Sequence, residues 1–265
     1  MNFPETFEEQ PINLIPHPLT LIRMDTCDST NNFIRSHLSE LVDRFPVGVS
    51  SGTQLKGRGR GDRTWFSVPG KGLYISLGFF VSTPQYLNML SLIAGISISE
   101  TLERITKKKF TLKWPNDVLY KGQKIAGILI ENIIKKENII SICGMGININ
   151  HSRTDFPGQL KERAVSLKVI TGQNRKPRDI EPKLIRIFFK WLDILEKGET
   201  SPIISRVRQI NHFKPGEVIV FNQGRKSIKG NFLDINQNGG IVIQHSSGER
   251  GIYFSGEIDS DLQSS

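Results

Sequence analysis

Between Gln54 and Trp65 the chain reads Gln-Leu-Lys-Gly-Arg-Gly-Arg-Gly-Asp-Arg-Thr-Trp. Arg58, Arg60 and Arg63 are interleaved with Gly57, Gly59 and Gly61, and an indole closes the run. Glycine lets a backbone fold tightly around a ligand. Arginine offers a planar, permanently charged fork suited to carboxylate and phosphate. Together they describe a mobile clamp for a polyanion that carries an aromatic base. A plain basic surface loop would use the same residue types, but this segment is short and lies between two apolar, strand-like runs.

Three further constellations could share that chemistry. Asp28-Ser29-Thr30-Asn31 offers hydroxyls and an amide able to read a ligand's polar edge, although the same residues serve equally as a helix cap. Lys113-Trp114-Pro115-Asn116-Asp117 is followed by Lys124-Ile125-Ala126-Gly127. These lysines are expected on neighbouring strands of a hairpin, in apolar surroundings where an ammonium needs an anionic partner; two exposed edge lysines are the alternative. Gly144-Met145-Gly146-Ile147-Asn148 puts glycines inside a strand, which marks either a β-bulge or close approach of another group. No third glycine or helix start makes this a dinucleotide fingerprint, and no Gly-Lys-Ser/Thr phosphate loop is present. Nor does the sequence show a Ser-His-Asp or Cys-His arrangement. The histidines at 17, 37, 151, 212 and 245 fall in loops or polar contexts without zinc spacing. The reacting nucleophile is therefore expected from a substrate, with the protein supplying position and charge.

These residues need a scaffold. Residues 1–18 read as an irregular arm. Strands are expected over 19–24, 45–51 and 72–80, with a helix after Ser29 and another opening at Pro84 and running through Leu102. Strand pieces over 110–114 and 118–120 flank a Pro-Asn-Asp turn. A long hairpin follows over 124–132 and 138–150. Residues 151–175 are loop-rich. The apolar spacing from Pro182 to Lys197 predicts an amphipathic helix stopped by Gly198. After Asn211 the pattern changes to short strands over 217–221, 227–235, 240–244 and 250–254. The fold class is thus α/β (α+β): a mixed sheet covered by helices over 19–210, then a small C-terminal SH3-like barrel over 211–265.

At 265 residues the chain can bury a sizeable core. Its net charge of +9 suits an anionic ligand, nucleic acid or an acidic protein partner. The two cysteines, Cys27 and Cys143, form no disulfide framework, so a reducing cytoplasm is expected. No apolar run approaches the ~20 residues of a membrane span. A nucleic-acid module would place clustered arginines and exposed aromatics on the terminal barrel; residues 213–258 hold few arginines.

Taken in order, these segments resemble the biotin–protein ligases: Asp28 to Asn31, the loop Gln54 to Trp65, Lys113 to Asp117, Lys124 to Glu131, Gly144 to Asn148 and the late Gly256-Glu257-Ile258. The resemblance covers roughly residues 20 to 260. It implies a class II synthetase-like catalytic domain and a two-step reaction. Biotin and MgATP give biotinyl-5′-AMP, and a lysine of a biotin carboxyl carrier protein then takes the biotin. The resemblance assigns Ser29, Thr30, Asn31 and Gln54 to the biotin head, with Gly57 and Arg58, and Gly127 and Gly144 as glycines that make room for it. Arg60 and Lys124 would serve the biotin carboxyl and the phosphate. Arg58, Arg60, Arg63, Trp65, Asn148 and Lys113 would serve the nucleotide. Lys124, Arg60, Asp117 and Lys113 would carry the chemistry, Asp117 lying where the carrier lysine approaches. Mg2+ is implied, with no ligand set named. Lipoate ligases share the fold; the Lys-Trp-Pro-Asn-Asp segment and the terminal β-unit favour biotin. With only 28 residues before Ser29, the reading is the short class without a DNA-binding domain, monomeric or weakly dimeric. Asp62 departs from the family, where glycine is usual, and puts a charge beside the clamp, within reach in sequence of a pair with Arg58 or Arg60.

Overall fold

The computed structural model describes residues 7–12, 18–135, 138–224 and 226–259. The strands are β1 (Phe7–Ile12), β2 (Leu19–Cys27), β3 (Val47–Gln54), β4 (Gly72–Val81), β5 (Thr111–Lys113), β6 (Asp117–Tyr120), β7 (Gln123–Lys135), β8 (Asn138–Asn148), β9 (Val218–Gln223), β10 (Lys226–Ile235), β11 (Ile241–His245), β12 (Arg250–Tyr253) and β13 (Glu257–Asp259). The α-helices are α1 (Thr30–Ser36), α2 (Leu38–Leu41), α3 (Leu87–Thr106), α4 (Leu160–Arg163), α5 (Leu167–Thr171), α6 (Pro177–Glu196) and α7 (Thr200–Ile210).

β1 to β8 form one mixed sheet in the order β1-β2-β3-β4-β8-β7-β6-β5. β2 and β3 run parallel, joined by the α1–α2 crossover. The other neighbours are antiparallel. Successive strand residues point to opposite faces, and β2 shows this directly. Leu19 and Leu21 join the larger core with α3, α6 and α7, whereas Ile22 and Met24 join a smaller core with Ile34 of α1 and Leu41 of α2. α3 is buried at almost every position from Met89 to Leu102, as suits a helix apolar all round.

A second, antiparallel sheet has the order β12-β11-β10-β9-β13 and forms the small SH3-like unit. It is fastened to the first sheet through Trp114. The indole Nε1 donates to Gly239 O at 3.0 Å, and the ring lies 6.0 Å from that of Phe221.

Several sequence expectations need correction. The irregular arm contains β1, which pairs along β2 from Phe7↔Met24 to Ile12↔Leu19. Its side chains are mostly exposed, so no apolar alternation signals it; its edge is fixed by pairs such as Arg23 Nη1 to Gln10 Oε1 at 2.6 Å. Residues 1–6, 13–17 and 260–265 of the expected arm and barrel lie outside the described residues. α6 starts at Pro177, with proline at its first position, and carries Pro182 inside. Burial of Ile180 and a 2.7 Å pair between Glu181 and Arg23 accompany the bond lost at Pro182. α7 was not anticipated; Pro202 lies in its first turn, where an N–H has no helical partner anyway. β13 closes the small sheet against β9 and was likewise not anticipated.

His151 lies in a loop, as expected, but its surroundings are apolar. It is fully buried, stacked on Phe156 at 5.1 Å and tilted against Phe66 at 6.2 Å, and neither ring nitrogen has a hydrogen-bond partner among the described residues. Burial pushes its pKa down to about 4; Asp155 opposes this and Lys71 reinforces it. In the unfolded chain a histidine titrates near ~6.5. The unfolded state therefore binds the proton first, and the contribution of this group is complete above ~6.5 and falls as pH drops towards 4. His151→Phe should flatten the loss of stability across that window, measured by urea unfolding at pH 7, 6, 5 and 4.5. Parallel pH profiles for the two proteins would contradict this.

Candidate active site

On the α1 side of the main sheet lies a cavity of about 760 Å³. Every site residue named from the sequence lines it except Gly57. Its floor follows a lateral row of Cα partners: Lys113 on β5, Asp117 on β6, Gly127 on β7 and Gly146 on β8. Lys113 and Lys124 are therefore not on neighbouring strands, because β6 lies between β5 and β7. A break in the β6–β7 register next to Val118 and Leu119 leaves Ile125 as an extra residue on β7. Ile125 and Ala126 both enter the main core, while Lys124 turns to the cavity. There its Nζ lies 2.7 Å from Asp117 Oδ1, the anionic partner that a half-buried ammonium needs.

The glycines of the floor are sites of close approach, not bulges. β8 pairs without register breaks along both β4 and β7. A Cβ on Gly146 would stand 2.6 Å from Trp65 Cε2, and one on Gly127 would stand 2.7 Å from Trp65 Cζ3. The indole thus lies over both glycines, and Lys124 Nζ lies 5.5 Å from its ring centre. A side chain at Gly144 would collide with Asn31 Oδ1. In this structure the room above Gly127 and Gly144 is filled by the protein's own Trp65 and Asn31.

The far end is a buried polar pocket. Ser29 occupies the N-cap position of α1, yet its side chain makes no cap hydrogen bond. The hydroxyl is thus not committed to the helix. Gln54 Oε1 accepts from Thr30 N at 2.9 Å and lies 3.2 Å from Thr30 Oγ1. Ser76 Oγ lies 2.6 Å from both Thr30 Oγ1 and Asn31 Oδ1. A serine has one proton to give. Asn31 Nδ2 already faces Glu131 Oε2 at 2.8 Å and Leu129 O at 3.3 Å, so Asn31 Oδ1 must take the serine proton; Thr30 then gives its one proton to Ser76, and Gln54 Oε1 is met by Thr30 N. Ser76, fully buried on β4, was missed from sequence. Its signal was a lone serine in the apolar run Leu73–Phe80.

The arginine segment is a small hairpin. Trp65 N donates to Gly57 O at 2.9 Å, Gly59 N donates to Arg63 O at 2.7 Å, and Arg58 bridges Thr64. Gly57 serves this turn: a Cβ there would lie 2.6 Å from Trp65 O. Arg58 Nη1 donates to Asn32 Oδ1 at 2.8 Å and Glu131 Oε1 at 3.0 Å. Arg60 Nη1 donates to Gly256 O at 2.9 Å, and Arg63 makes a two-pronged pair with Glu257. The left-handed residue is Gly61, φ +60°, not Asp62. Asp62 is exposed and pairs with neither Arg58 nor Arg60. Asn148 Nδ2 donates to Val165 O at 3.2 Å. No thiol competes as a nucleophile: burial pushes Cys27 up to about 11 and Cys143 higher still.

The sequence profile of the biotin/lipoate A/B protein ligase family matches residues 26–148. The chain is 31% identical over 225 residues to the bifunctional ligase/repressor BirA of Escherichia coli, covering 82% of this chain and 67% of that protein. The chain belongs to the biotin/lipoate A/B protein ligase family. It is also 30% identical over 212 residues to BirA of Bacillus subtilis, covering 77% of this chain and 63% of that ligase. The chain thus spans less than two thirds of that relative's length. The structure of the Aquifex aeolicus biotin protein ligase in complex with biotin and ATP superposes with a TM-score of 0.77 at 30% identity, covering 90% of this chain and 97% of that one. Within this ligase family framework, the polar pocket, the glycine floor and the arginine hairpin are parts of one cavity.

Ser76→Ala should remove the donor to Asn31 Oδ1 and leave a buried acceptor unmet. The expected loss is about 1–3 kcal/mol of unfolding free energy, read from urea denaturation; an unchanged midpoint would show that the proton assignment is wrong.

Proposed function

We propose that this protein activates biotin with MgATP to biotinyl-5′-AMP and passes the biotinyl group to a lysine of a biotin carboxyl carrier protein. The observation that carries this reading is the convergence of Lys124, Asp117, Arg60 and the Ser29–Gln54 pocket on one cavity. In the first step a biotin carboxylate oxygen attacks the α-phosphorus and pyrophosphate leaves. In the second, the carrier's amine attacks the acyl carbon and AMP leaves.

Both partners of the first step are anionic, so the cavity must neutralise charge as they meet. Lys124 and Arg60 are assigned to the biotin carboxyl and the phosphate. Arg58, Arg63, Lys113 and Asn148 are assigned to the nucleotide, with Trp65 against its base. Ser29, whose hydroxyl makes no cap bond, and Gln54 are assigned to the biotin head. Asp117 stands where the entering amine must lose a proton. An arriving carboxylate or phosphate would compete with Asp117 for Lys124, freeing the aspartate for that second role.

Among the described residues no three His, Cys, Asp or Glu side chains form a metal cage. Magnesium usually needs only one or two carboxylates when it is bound with substrate phosphates. The cavity offers Asp117, Glu257 and Asp259, so the donor set fits an ion held mainly by the triphosphate. When bound, magnesium would screen the phosphate charge. We assign residues 19–210 to substrate binding and chemistry. The small unit after 211 shares the site, since Gly256 and Glu257 hold Arg60 and Arg63. Among the described residues no helix is long and apolar enough to cross a membrane.

Incubation with biotin, MgATP and an apo carrier domain, followed by mass measurement, tests the reaction; an unmodified carrier would refute it. Calorimetric titration with lipoate beside biotin separates the two substrates of the family. Arg60→Ala and Lys124→Ala should each slow pyrophosphate release by at least ~10²-fold, the scale of losing one preorganised contact to developing charge. Unimpaired release by both variants would remove these residues from the chemistry.

A further inference from the structure

Glu131 lies on β7, two residues beyond the cavity-lining Leu129 and facing the same side of the sheet. Its side chain is 10% exposed. Oε2 accepts from Asn31 Nδ2 at 2.8 Å. Oε1 accepts from Arg58 Nη1 at 3.0 Å and from Arg35 Nη2 of α1. One carboxylate thus joins the polar pocket, the first helix and the first arginine of the hairpin.

The amide of Asn31 has only one workable orientation. Reversed, its oxygen would face the Glu131 carboxylate and the Leu129 carbonyl, and its nitrogen would lose both acceptors. Glu131 therefore fixes which atom Asn31 turns to Ser76, and through Ser76 the hydroxyl of Thr30 beside Gln54. The same carboxylate separates two guanidinium groups that would otherwise repel each other. The arginines themselves are 41% and 47% exposed. Exposed ion pairs of this kind add little to global stability, but a charge-assisted bond can hold a local segment in register.

We propose that Glu131 is a positioning residue that ties the arginine hairpin, through Arg58, to the amide orientation of the biotin-side pocket. This rests on the biotin-ligase reading of that pocket. Glu131 holds the hairpin partly docked before any ligand arrives, so a ligand that needs both the pocket and the hairpin finds them in register.

The test uses the full chain with Glu131→Ala and Glu131→Gln. Trypsin cuts after arginine, so cleavage at Arg58, Arg60 and Arg63 without ligand, mapped by mass, reports hairpin docking. The alanine variant should be cut there about tenfold faster or more and should bind biotin about tenfold more weakly or worse in calorimetry, the scale of one lost charge-assisted bond. The KM for ATP should rise as well, since the hairpin carries Arg58, Arg63 and Trp65, and the thermal midpoint should fall only modestly, since Asn31 Nδ2 keeps Leu129 O as an acceptor. The glutamine variant keeps the shape but loses the charge, and should fall between alanine and wild type in both hairpin readouts. Unchanged cleavage and unchanged biotin affinity in the alanine variant would overturn the proposal, as would a general loss of folding shared by both variants, which would make Glu131 merely structural. If the wild type itself binds no biotin, the functional reading falls, while the cleavage comparison still decides whether Glu131 docks the hairpin.

Discussion

The site depends on a steric constraint: two adjacent strands carry glycine where they pass beneath Trp65 and Asn31. With Gly127, Gly144 and Gly146 on β7 and β8, an indole and an amide come within contact distance of the sheet itself. Any β-carbon there would push Trp65 or Asn31 away. The glycines are a cost in a strand, since they add backbone freedom to the unfolded chain and no packing to the folded one. The long pairing of β8 with both neighbours, without a register break, offsets that cost.

The glycine part of the floor is walled by polar groups that are buried or nearly so. Their hydrogen-bond requirements then dictate their orientation. Thr30, Asn31, Gln54, Ser76 and Glu131 come from α1, β3, β4 and β7, and they satisfy one another in a chain with a single consistent proton assignment. Ser29 stands beside this chain, at a helix start whose N–H groups it leaves uncapped. That asymmetry between committed and uncommitted polar groups separates the frame of the pocket from the part able to meet a ligand.

Charge in the cavity is arranged in pairs that a ligand can exchange. Lys124 rests on Asp117, Arg58 on Glu131, and Arg63 on Glu257. Each of these three cations therefore has an anion nearby, with which an arriving anion would have to compete. The pair of Arg63 with Glu257, and the bond from Arg60 to Gly256 O, tie the hairpin to the terminal unit. The terminal unit is thus part of the site's wall, and Trp114 on Phe221 sets the distance between the two sheets.

The sequence alone determined the parts of this protein that local spacing encodes. The apolar runs of β4, β7 and β8, the periodic helices α3 and α6, the change to short strands after Asn211, and the glycine-arginine segment are all properties of neighbouring residues. Only the tertiary structure decided how those parts face one another. The extra residue at Ile125 turns Lys124 to the cavity while Ile125 stays in the core, and a one-residue shift of that kind has no local signature. Asp117 sits between Lys113 and Gly127 because β6 pairs on both sides, where the spacing of the lysines suggested direct neighbours. β1, with mostly exposed side chains, is held by strand pairing, by Ile12 in the core and by side-chain pairs such as Arg23 to Gln10. Ser76 and Glu131 are ordinary residues in their own strands; their roles come from Asn31 and Arg58, 45 and 73 residues away. Such partners are set by strand register and helix placement across the whole sheet, and these are fixed only when the core packs.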